Sequence, residues 1–103
     1  MQLTPFHLAI QVRDINEARD FYGNKMGLPE GRSSTDWIDF NLFGHQLVTH
    51  VNPQLGKEGK IASIANGVDG HGVPVPHFGV VLNFDDWEAL AETVTQFVDY
   101  FII

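Results

Sequence analysis

The sequence predicts an α+β fold in which one strand-and-helix unit is used twice. Three observations carry this. Residues 5–22 (PFHLAIQVRDINEARDFY) and 75–92 (VPHFGVVLNFDDWEALAE) each run from an aliphatic strand with an early His, through an Asp-x-x-Glu cap, into an amphipathic helix. Placing His7 on His77 puts Ala9 on Gly79 and Ile10 on Val80, and one extra residue in the second turn brings Asp14 to Asp85 and Glu17-Ala18 to Glu88-Ala89. Between the copies stand two apolar runs, TDWIDFNLF and HQLVTHV, parted by Gly44.

Along the chain, Phe6, Leu8, Ile10 and Val12 alternate with His7, Ala9, Gln11 and Arg13. That period of two marks a strand with one buried face, and it turns His7 away from the apolar side. Asp14 can accept from the free N–H groups of a first helical turn while Glu17 reaches back, a capping box. Ile15, Ala18, Phe21, Tyr22 and Met26 then form one apolar stripe, ended by Gly27. A short strand is expected around residues 31–34. The two apolar runs read as an antiparallel hairpin with Ile38, Phe40 and Leu42 on one face and Trp37, Asp39, Asn41 and Phe43 on the other.

Residues 53–74, rich in glycine, read as a long connection, and a loop of that length is more often functional than a mere link. Residues 75–103 read as a second module. In it Phe78, Val80 and Leu82 repeat the buried face, His77, Gly79, Val81 and Asn83 take the other, and Asp85 caps a helix with Trp87, Leu90, Ala91, Val94 and Val98 inside, running at least to Thr95. The ending TVTQFVDYFII fits a strand about as well as a helix.

At 103 residues and 44% hydrophobic, the chain suits one domain with a modest core. Thirteen acids against six bases leave a formal charge of −7, which repels phosphate backbones and anionic lipid, so neither nucleic acid nor membrane is an expected partner. Without cysteine the chain has no disulfide, thiolate nucleophile or Cys-bound zinc. The N-terminal residues lack the pattern of a secretory signal, and no apolar run approaches the roughly 20 residues of a membrane span, so a cytoplasmic location is expected.

The phrases FHLAIQV, ARDFYGNKMGL, DFNLFGHQLV and VPHFGVVL, in this order of elements, resemble the vicinal oxygen chelate superfamily of glyoxalase I, bleomycin-resistance proteins and extradiol dioxygenases. The resemblance runs from about Phe6 to about Glu92. It implies a first βαβββ module over residues 1–52 and a shortened second βα module over 75–103, curved into a half-barrel sheet. It also implies a divalent metal, such as Fe, Mn, Ni or Zn, inside the cup.

Carried over residue by residue, the resemblance makes His7 the first-strand ligand and His77 the fifth-strand ligand. The fourth-strand place falls on Val48, which cannot bind a metal; His50, two residues on, is a possible extra ligand. The eighth-strand carboxylate has no counterpart, because the chain ends before the last three strands would begin. Two His without a fourth-strand ligand look more like the dioxygenase branch, with water or a substitute such as Asp39 filling the vacancy. Trp37 and Asn41 share a strand face that would contact substrate.

Each of these residues also has an ordinary structural reading. A lone strand His is more often hydrogen-bonded than metal-bound, and His45 and His71 fit surface positions. Two functions follow: a metal-dependent dioxygenase or glyoxalase-type lyase acting on a small molecule, or a metal-free protein that sequesters one. A shortened second module would leave an open sheet edge, so a homodimer or strand-swapped assembly is expected to cover it.

Overall fold

The computed structural model describes residues 1–60 and 62–100. Its centre is a four-stranded mixed sheet in the order β1-β4-β3-β2, where β1 is His7–Val12, β2 Glu30–Ser33, β3 Trp37–Leu42 and β4 His45–Val51. β1 runs parallel to β4, β4 antiparallel to β3, and β3 antiparallel to β2 with a register shift between Glu30 and Ser33. The fold is α+β, as the repeat predicts.

Helix α1, Ile15–Ala18, starts where the cap requires: Asp14 is extended, and its Oδ1 accepts from the Glu17 N–H at 2.7 Å. Glu17 does not close the expected box. Its carboxylate turns to Arg13, whose Nη2 lies 2.7 Å away, because a guanidinium one turn back is a stronger partner than a lone backbone N–H. From Arg19 to Lys25 the helix continues in a wider winding, with the Met26 N–H reaching back five residues to the Phe21 carbonyl. Gly27, at φ +72°, ends it, and the Leu28 N–H closes on the Tyr22 carbonyl at 3.0 Å.

The core lies between this helix and one face of the sheet. Leu28, Ile38, Phe40, Leu42 and Leu47 are buried together, with Leu8, Ile10, Ile15, Tyr22 and Met26 packed around them. Burial pushes the Tyr22 phenol above its ordinary pKa. Thr49 is the buried polar side chain of this layer, and its hydroxyl is satisfied by the Ile38 carbonyl at 3.3 Å. The hairpin between β3 and β4 turns on Phe43 and Gly44, both with positive φ.

The second half departs from expectation in three places. First, residues 53–74 are not a plain connection: after a single turn at Pro53–Leu55 they form most of a hairpin, β5 (Ile64–Val68) and β6 (His71–Val75), that pairs with no other strand among the described residues. It turns on Asp69 and Gly70, again both at positive φ.

Second, the strand expected over Phe78, Val80 and Leu82 does not form; residues 76–83 carry no regular structure, and Phe78, Val80 and Val81 are exposed. A strand needs a neighbour for its backbone. β1 finds β4, whereas this segment finds no partner among the described residues.

Third, helix α2 (Phe84–Val94) is capped by Asn83 rather than Asp85. Asn83 Oδ1 accepts from the Asp86 N–H at 2.9 Å, and its amide donates to the Asp86 carboxylate at 3.0 Å, a reciprocal pair that fixes the start two residues earlier. Trp87, expected on the inner stripe, is 56% exposed. The expectation for the end of the chain falls partly on residues 101–103, outside the described residues.

Candidate functional site

The sheet face turned away from the core is the chemically equipped surface of the described residues. The ladder sets its composition: residues paired across neighbouring strands share a face, and side chains alternate along each strand. One row across the sheet is therefore His7 and Gln46, flanked by Asn41; the next is Ala9, Val48 and Asp39; the third is Gln11, His50 and Trp37. All three strands are held in this phase by Leu8, Leu47 and Phe40 anchoring the opposite face.

His7 is exposed, and its Nδ1 lies 3.0 Å from Gln46 Oε1. His50 shares the face, but stands opposite Gln11, four residues beyond the row of His7. At about 3.3 Å of rise per residue, roughly 13 Å separates the two rows. Val48 occupies the middle of the face and is buried there.

Asn41 lies on the face as expected, with its Oδ1 engaged by the Gly44 N–H of the hairpin turn at 2.7 Å. Trp37 is half-buried, and the Arg32 guanidinium stands 5.9 Å from its ring centroid. The same Arg32 pairs with Asp39 at 3.7 Å.

His77 does not lie on a strand, so its phase is not that of His7. Its Nδ1 meets the Pro74 carbonyl three residues back at 2.7 Å. The ring lines a cavity of about 520 Å³ between Pro76–Phe78 and Leu8–Gln11 of β1; His7 is not on its wall. His45 is structural: its Nδ1 accepts from the Phe6 N–H at 3.0 Å. His71 opens β6 and is exposed.

These positions do not fit a metal centre within this chain. His77 lines a cavity whose wall does not include His7, the fourth-strand place is an aliphatic side chain, and among the described residues no three His, Asp or Glu gather closely enough to hold an ion. What the face can do is bind. An indole, a recessed carboxylate, a guanidinium and two amide side chains surround an aliphatic centre. Arg32 and Gln46 were not singled out by sequence reasoning. Gln46 was findable, since it alternates with Val48 and so shares the face of His7. Arg32 sits in a turn-rich stretch whose register no pattern announces.

Residues 4–100 match the family model of the Glyoxalase/Bleomycin resistance protein/Dioxygenase superfamily. Among solved structures, a glyoxalase/bleomycin resistance protein/dioxygenase from Alicyclobacillus acidocaldarius is 31% identical, with a TM-score of 0.68 over 89% of this chain and 61% of that one. The present chain thus spans less than two thirds of that protein. No curated protein matches it. Among the described residues, no helix is long and apolar enough to cross a membrane.

Proposed function

Because the chain belongs to the glyoxalase/bleomycin resistance protein/dioxygenase superfamily, we propose that it binds a small organic molecule on the open face of its four-stranded sheet, without a metal ion. The observation that carries this is the middle row of the face, where Val48 stands between Ala9 and Asp39. Val48, buried at that centre, offers no metal-binding atom, and the ring of polar groups around it can fix a ligand's orientation. Trp37 supplies an aromatic surface, and Asn41 and Gln46 supply amides.

The test uses the intrinsic emission of Trp37 in a Trp87→Phe background. A panel of phenols, catechols and naphthols should quench it saturably in the presence of a chelator, and Gln46→Ala should weaken that binding while leaving the emission of the free protein in place. Quenching that appears only after adding Fe(II), Mn(II), Ni(II) or Zn(II) would overturn the reading.

A second reading, a metal-dependent dioxygenase or lyase with His7 and His77 as ligands, is favoured by one feature: His77 lines a cavity against β1, the strand that carries His7. It needs at least one ligand from outside this chain. A homodimer or strand-swapped partner could bring one, because Phe78, Val80 and Val81 expose apolar side chains on a stretch with no strand neighbour among the described residues. Sedimentation with and without added metal separates this case from a metal-free monomer.

A further inference from the structure

Resting on the reading that this face binds a small molecule, we infer that Arg32 is a built-in stand-in for the ligand, and that the molecule taken up beside Trp37 and Asp39 is an organic cation. Trp37 and Asp39 alternate along β3 and so project from the same face. Together they make a cation receptor, since the ring offers its negative face and the carboxylate its charge. The Asp39 side chain is only 16% exposed, whereas that of Arg32 is 85% exposed. The receptor is therefore recessed and fixed, and the cation now on it is loose.

The contacts of Arg32 are weak at both ends. Its Nε stands 3.7 Å from Asp39 Oδ2, beyond hydrogen-bond length, and its guanidinium carbon is 5.9 Å from the ring centroid, near the outer limit of about 6 Å for such an attraction. An exposed pair of this kind holds its geometry weakly. A cavity of about 530 Å³ opens on the side of Arg32 and Asp39 away from Trp37, lined also by Asn41 and Gln46, and gives a one- or two-ring compound held at Asp39 room to extend.

The chain's formal charge of −7 draws cations toward it. An anion recognised by Arg32 would have to settle beside Asp39, which opposes it. A planar amidinium or a quaternary ammonium that swings Arg32 aside replaces both of its contacts.

The test compares benzamidinium with its neutral analogue benzamide by Trp37 emission in the Trp87→Phe background, with circular dichroism confirming that each variant is folded. Benzamidinium should bind at least about tenfold tighter than benzamide. Removing the stand-in with Arg32→Ala should tighten benzamidinium about two- to fivefold, the range of an exposed pair. Asp39→Asn should lose the preference for the cation. Equal binding of the two probes, or unchanged or weaker benzamidinium binding in Arg32→Ala, overturns the inference. Neutral aromatics that bind as tightly as benzamidinium would sink this inference and leave metal-free binding standing. If neither charged nor neutral probes bind, both fall.

Discussion

His7 and Gln46 stand side by side across the parallel ladder of β1 and β4, with the imidazole Nδ1 3.0 Å from the amide Oε1. Because the amide oxygen can only accept, the proton of neutral His7 belongs on Nδ1, and Nε2 keeps the lone pair. Nitrogen chemical shifts of the imidazole should report the Nδ1–H tautomer in the native protein. In Gln46→Leu that preference should disappear. An Nε2–H tautomer in the native protein would mean that the Gln46 amide does not present its oxygen to Nδ1.

The helix start rests on one side chain. Asp14 accepts from the Glu17 N–H, and Asp14→Ala leaves that donor without its cap. The expected loss is about 1 kcal/mol in denaturant unfolding, while Asp14→Ser should recover most of it.

Phe40 sits at the centre of the buried cluster, against Tyr22 at 5.7 Å between ring centroids. Phe40→Ala should cost about 3–5 kcal/mol, through lost apolar burial and the cavity left behind. Chemical denaturation measures this directly, and a loss below about 1 kcal/mol would show that the sheet and helix do not share one core.

Stability should fall in acid partly through Glu17. Its hydrogen bond to Arg13 holds the carboxyl below the ordinary value of 4.5. A depressed folded-state pKa contributes stability that is present above the unfolded value and is lost as pH falls through the folded one. The pair is exposed, so the effect is modest. Thermal midpoints of Arg13→Gln and the native protein should differ most at neutral pH and converge as the carboxyl protonates; a gap that stays constant into acid would assign the loss to something else.

The first half of the fold was legible because its signals are local and agree with one another. The alternation of Leu8, Ile10 and Val12, the cap at Asp14 and the stop at Gly27 each point to the element that forms. The second half hid for two reasons. Phe78 to Leu82 have the pattern of a strand, but pattern does not supply a neighbour, and none of the described strands pairs with them. The hairpin of β5 and β6 was written in Asp69-Gly70, a strong turn pair, yet the surrounding glycines masked the alternation.

At the candidate site, the placement of His7, Trp37, Asp39 and Asn41 on one face followed from their strand phase alone. Gln46 could be read from its alternation with Val48, whereas Arg32 depended on register between strands, which a single sequence does not state. His77 was misplaced because its strand was assumed. The resemblance to one family carried the fold correctly, since fold depends on the whole pattern. A site depends on a few positions, and at the fourth strand Val48 already differs from the ligand the resemblance implies.

The most direct measurement is the metal content of protein purified without added chelator, set beside that of His7→Ala and His77→Ala. Metal-free binding predicts the same trace content in all three, well below one ion per chain. Stoichiometric iron, manganese, nickel or zinc in the native protein, lost in both variants, would contradict it.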